Sequence, residues 1–165
     1  QTIEENNLYE QVTTDPYYPH FIAYFTCKPL TIEWIDQLSS LSDNETSSYR
    51  SSHALLFLSL IKQDYFGGRC GNNPDLSTNV DSAIQLKADE VQSGLKNREN
   101  FDSWVERAAI LAFSNQPISP EDVEYIISKQ SANGGWAPAD FDEPFEEERT
   151  HTTALAVWAL VEASK

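Results

Sequence analysis

The chain contains no methionine, not even at position 1. It is therefore expected to have lost a natural start, either by removal of a signal peptide that leaves Gln1 or by excision from a longer chain. Cysteine is nearly absent too, with only Cys27 and Cys70. Bridged, they would close a loop that stabilises by roughly 4 kcal/mol in the chain-entropy model, and they would point to an oxidising compartment. Unbridged, they are two separate thiols. The bridged alternative agrees with a removed leader, so the expected location is extracytoplasmic or secreted. Basic residues are few, 11 against 26 acidic, for a formal net charge of -15. Such a chain is repelled by polyanions, which excludes nucleic acid and anionic lipid surfaces as partners. It leaves cations, basic proteins or plain solvation of an acidic surface. No run of 18 apolar residues exists, so no transmembrane segment is expected. Nucleophile elbow, phosphate loop and HExxH motifs are all missing. His20, Cys27, His53 and Cys70 lack the close spacing of metal ligands. No metal and no cofactor are expected.

What remains is a globular chain of 165 residues, 40% hydrophobic and 12% aromatic, enough for one domain with a real core. Its apolar residues recur at helical spacing and nowhere alternate as in a strand. Three strongly apolar stretches, near 54–61, 108–113 and 154–161, each follow a more amphipathic one. Thr31 to Leu41 reads as an amphipathic helix and Ser47 to Ile61 as its apolar partner, with Lys62 to Gly68 as a stop. Asn79 to Asn97 reads as a polar helix with a thin stripe of Ile84, Leu86, Val91 and Leu95, and Phe101 to Phe113 as a helix ending in an apolar run. The expected fold is all-α: a single domain, 1–165, of three stacked helical hairpins at 31–61, 79–113 and 120–161. A cap at 1–30, rich in aromatics from Tyr17 to Phe25, covers one end of the stack.

The last hairpin carries the sharpest signals. Ser119-Pro120-Glu121-Asp122 is a helix start, with a hydroxyl cap, proline just inside and acids in the first turn. Val123, Ile126 and Ile127 follow at helical spacing, and Asn133-Gly134-Gly135 ends the helix because glycine accepts the left-handed conformation found there. Trp136 comes straight after. The run Ala154 to Val161 is apolar on all sides, and such a helix is expected to be buried on more than one face.

Tyr125-Ile126, Gln130 and Gly134-Gly135-Trp136, in this spacing, resemble the glutamine-tryptophan repeat of squalene and oxidosqualene cyclases. The segment His151 to Leu160 is similar to the inner helix that follows this repeat in those enzymes and in protein prenyltransferase β subunits. The resemblance covers about a quarter of the chain. It implies helical hairpins arranged as an α/α toroid, in which glutamine and tryptophan tie the end of an outer helix to its neighbour. An earlier stretch, Ile32-Glu33-Trp34-Ile35, echoes Val123-Glu124-Tyr125-Ile126, but Ser39 stands where Gln130 would and no Gly-Gly-Trp follows.

The same resemblance supplies candidate chemistry. Asp140, Asp142 and Glu143 loosely match the aspartate-rich motif that provides the protonating acid of cyclases, although they sit among Pro138, Pro144 and Glu146 to Glu148, a composition of exposed loops. His151 matches a zinc-ligand histidine of the prenyltransferases, without the accompanying aspartate and cysteine. Trp136, His151 and Trp158 are the candidate binding residues. Three hairpins make an arc and not a closed ring. The leading expectation is thus a non-catalytic helical-repeat module that binds a protein or an apolar small molecule through one face. The alternatives are a small cyclase-like enzyme using the acidic loop as proton donor, and an acidic inhibitor of a partner protein.

Overall fold

A computed structural model describes residues 24, 27, 29–43, 49–66, 76–98, 100–138 and 146–165. They form six helices and no strand: α1 (Ile32–Ser40), α2 (Arg50–Phe66), α3 (Ser77–Gly94), α4 (Phe101–Phe113), α5 (Pro120–Ser128) and α6 (Glu146–Ala163). The expected all-α class holds. No helix among the described residues is long and apolar enough to cross a membrane.

The centre of the molecule is α4. Asn100 caps it by accepting the backbone N–H of Ser103 at 3.1 Å. At its other end Asn115 takes a left-handed φ of 57°, which lets the Gln116 N–H return to the Leu111 carbonyl at 3.0 Å. Every residue from Ser103 to Leu111 is buried. This burial on all sides follows from position, since α2, α3 and α6 all pack against α4. α2 and α3 also pack against each other, α1 lies on both of them, and α5 lies on α6. Ala108 and Ala109 remove side-chain bulk where the neighbouring helices approach.

Three boundaries and faces differ from the sequence-based expectation. α2 runs through Phe66 and does not stop at Ile61; Lys62 to Phe66 contains no glycine or proline to break it, and Lys62 pairs with Asp81 of α3 at 2.8 Å. On α3, Ile84, Val91 and Leu95 are buried as expected, but Leu86 is 57% exposed and Lys87 is 1% exposed. Helical geometry decides this. Val80, Ile84, Lys87, Ala88 and Val91 share one face at steps of three and four, and Leu86 lies far around the helix from them.

The third difference concerns α6. Its Leu155, Ala156 and Ala159 are buried, as the apolar run implied, whereas Val157 is 47% and Val161 50% exposed. Ala154 is exposed as well. Its main packing partners, α4 and α5, cover only part of its circumference, so a helix that is apolar all round keeps an apolar strip in water.

Candidate functional site

The glutamine-tryptophan corner builds as its residue types dictate. Ser119 and Asp122 form a reciprocal capping box at the start of α5, with Pro120 at the first helical position. At the other end Gly134 adopts φ 89°, and the Gln130 side-chain amide donates to the Gly134 carbonyl at 2.8 Å, so the glutamine closes its own turn. A Cβ on Gly135 would stand 3.3 Å from Thr153 Oγ1, a close approach that suits glycine. Trp136 is buried. Its indole N–H donates to the Ile126 carbonyl at the end of α5, 2.7 Å away, and its backbone N–H donates to Thr153 Oγ1 on α6 at 2.9 Å. The candidate binding residue Trp136 is thus committed to joining α5 and α6. A second tryptophan does the same one hairpin earlier: Trp104 Nε1 donates to the Leu95 carbonyl, just past the end of α3, at 2.8 Å. No Gly-Gly-Trp announces it. We expect Trp136→Phe to cost about 1–2 kcal/mol in a urea titration, because it keeps the ring and leaves the Ile126 carbonyl without its donor.

The most concentrated chemistry lies where the first turns of α2 and α4 meet the second turn of α6. Glu106 is buried on α4, and Ser52 of α2 donates to its Oε1 at 2.9 Å. His53 Nε2 of α2 stands 3.6 Å from the same oxygen. One helical turn earlier on the same face of α4, Asp102 Oδ1 accepts the Thr152 hydroxyl of α6 at 2.6 Å and lies 3.0 Å from His151 Nδ1. Facing a carboxylate, Nδ1 is the donor of this contact. Ser103 Oγ donates to the Tyr49 hydroxyl at 2.9 Å, and the Tyr49 ring stacks on His53 at 6.0 Å. Burial pushes the Glu106 carboxyl up to about 7, with the nearby Asp102 charge adding to the rise against the opposing pull of Ser52, His151 and Arg107. The arrangement holds a buried proton close to neutral pH beside two imidazoles, the elements of acid–base chemistry.

A second polar layer backs this one. Asp43 accepts the Ser51 N–H of α2 at 2.9 Å and pairs with Arg107 of α4 at 2.8 Å. Lys87 of α3 reaches the Leu41 carbonyl at 2.6 Å and Glu90 at 2.7 Å, while Ser51 also donates to Glu90. Neither layer was visible as a motif, because the members of each come from three separate helices and a connecting segment.

Along α6 runs an open groove of about 680 Å³, lined by Thr150, Thr153, Ala154, Val157, Trp158 and Val161. Trp158 packs its ring against Phe113 at 5.5 Å and presents its remainder to this groove. Among the other residues singled out from the sequence, Asp140, Asp142 and Glu143 lie outside the described residues. Cys27 is disulfide-bonded; Cys70, the one other cysteine of the chain, lies outside the described residues. No group of three His, Cys, Asp or Glu side chains among the described residues is placed to hold a metal ion.

No family model, curated protein or solved structure matches the chain.

The functional reading therefore rests on two features of the molecule itself, the polar junction around Glu106 and the apolar strip of α6.

Proposed function

We propose that the chain is a non-catalytic helical-repeat binding module that takes an amphipathic helix of a partner protein along α6. In this reading α1 with α2, α3 with α4 and α5 with α6 are three outer–inner hairpins on an arc, a fragment-like relative of the terpenoid cyclase and prenyltransferase toroid. The observation that carries it is the half-exposed pair Val157 and Val161 on a helix whose other side belongs to the core. Two facts favour a helix as the occupant. Thr150, Ala154, Val157 and Val161 follow one another at steps of four, three and four, the spacing of a seam that packs against another helix. The packing of α2 on α4 and of α4 on α6 also makes a row of inner helices, and the strip lies on the last of them. With a net charge of -15, the favoured partner carries basic residues beside its apolar stripe.

The test is fluorescence anisotropy with a labelled amphipathic helix bearing leucines at heptad spacing and flanking lysines. Micromolar binding is expected, weakened at least tenfold by Val157→Asp with little change in melting temperature, since one rim of the seam is already wet. Equal binding of a scrambled peptide of the same charge would overturn the reading in favour of simple electrostatics.

Glu106 favours a second reading, a small cyclase-like enzyme in which a protonated carboxyl starts the reaction. It expects turnover of squalene or geranylgeranyl diphosphate that Glu106→Gln abolishes, and no turnover with either substrate removes it.

A further inference from the structure

We propose that the cleft between α2, α3 and the end of α4 is a binding site for a small, uncharged aromatic ligand that carries a hydroxyl, a molecule of the phenol class. The site goes beyond the helix-binding reading and shares no lining residue with the α6 strip. Its volume is about 520 Å³, within the range of small-molecule sites. Local chemistry explains how it forms. Ser59, Lys62 and Gln63 line it from α2, on the one helix face that steps of three and four define. The left-handed Asn115 turns the chain back at the end of α4, so Ser114, Asn115 and Gln116 line it as well.

The deciding observation is a pair of buried hydroxyls in the lining. Ser59 is 4% and Ser114 8% exposed, and their Oγ atoms stand 2.7 Å apart. Ser114 Oγ also lies 2.7 Å from the Ile110 carbonyl. A carbonyl only accepts, so Ser114 donates to Ile110, and Ser59 must then donate to Ser114. Both hydroxyl protons are committed inside the protein. Ser114 Oγ accepts in return, whereas Ser59 Oγ accepts from no group among the described residues. Its lone pairs call for a donor, and a buried polar atom gains most from such a bond.

The walls supply the rest of the ligand's description. Ile84 is buried and Phe113 half-buried in the lining, an aliphatic and an aromatic surface suited to a flat ring. The C-terminal end of α4 is the negative end of its helix dipole. Lys62 is the cation among the lining residues, and it already pairs with Asp81 at 2.8 Å. The site therefore favours a neutral donor over a carboxylate.

Nitrogen-edited NMR of the isotope-labelled intact chain tests this. Phenol is expected to shift the backbone amide signals of Ser59, Ile84 and Ser114 to Gln116 saturably, with a Kd of about 1 mM. Ser59→Ala should weaken phenol about fivefold. It should leave unchanged the weaker binding of anisole, whose oxygen has no proton to donate. Ser114 keeps its bond to Ile110 in this variant, so the lining stays in place. Equal weakening of both ligands would mean lost packing and would overturn recognition of the hydroxyl. Shifts that do not saturate, or that gather on Val157 and Val161 of α6, would overturn the site. Benzoate that binds these amides more tightly than phenol, and loses that advantage in Lys62→Met, would make the cleft an anion site and overturn the neutral class.

Discussion

Replacing Lys87 with alanine is expected to destabilise the fold by about 3 kcal/mol, read as a shift of the urea midpoint. The side chain is 1% exposed on α3, yet its ammonium is well supplied with acceptors: the Leu41 carbonyl at 2.6 Å, Ser42 Oγ at 3.4 Å and Glu90 at 2.7 Å. Removing it leaves a cavity where the stem was. It also strips the cation from Glu90 and from the chain end of α1. The expected loss stands at the lower end for a buried pair because Glu90 is itself about one-third exposed. Lys87→Met, which refills the space and not the charge, should recover part of the loss, and adding Glu90→Gln should recover more. The acid limb gives an independent check. Burial alone would raise the Glu90 carboxyl, but hydrogen bonds from Lys87, Ser51 and Ser42 together with the Lys87 charge hold it below its ordinary 4.5. A carboxyl depressed in the folded state contributes stability above its unfolded value and loses it as pH falls through the folded one. The native protein should therefore lose stability below about pH 4.5 more steeply than Lys87→Ala does.

Glu106→Gln is expected to do the opposite, and only at high pH. The folded carboxyl stands at about 7 against an ordinary 4.5, so the folded state holds a proton that the unfolded chain has released. Stability tied to such a group is complete below the unfolded value and declines as pH rises through the folded one. The native protein should accordingly lose about 3 kcal/mol between pH 5 and pH 8 from this group. Glutamine resembles the protonated acid in shape and can still accept from Ser52. The variant should match the native protein near pH 5 and exceed it by about 2–3 kcal/mol at pH 8. Urea midpoints at the two pH values measure this directly. A variant that is less stable at both would mean that the ionised carboxylate is a structural ligand of the junction and not a buried charge in need of its proton.

Much of the architecture was legible from local chemistry. Phe101 to Phe113 was readable as a helix ending in an apolar run, and the structure places α4 at the same residues; its Asn100 cap was not read from the chain. Ser119 to Asp122 was readable as a helix start from its hydroxyl, proline and acids, and the turn at Gly134 follows from glycine's access to a left-handed backbone. These features depend on residues within one turn of each other, so a linear chain displays them. Apolar runs also marked α2 and α4 as interior helices, and α6 as one whose Leu155, Ala156 and Ala159 face the core.

What the chain did not display are the features that need a neighbour from elsewhere in the fold. Lys87 reads as a solvated residue until α1 and the residues after it come to lie on α3; Leu86, by contrast, is exposed through helical geometry alone, two residues and so about half a turn from Ile84. Glu106 reads as an ordinary acid on a polar turn until α2 and α6 close over it and bring His53, Asp102 and His151 to its side. Trp104 carries no motif, yet it caps α3 as Trp136 caps α5. The apolar strip on α6 was hidden for a related reason: composition states how much of a helix is hydrophobic, and only the number of helices packed around it states how much stays in water. Local sequence thus determined where the helices begin, end and turn, through steric and hydrogen-bonding preferences a few residues long. Burial, charge pairing and the open face were decided by the tertiary structure, because desolvation is a property of the surroundings and not of the residue.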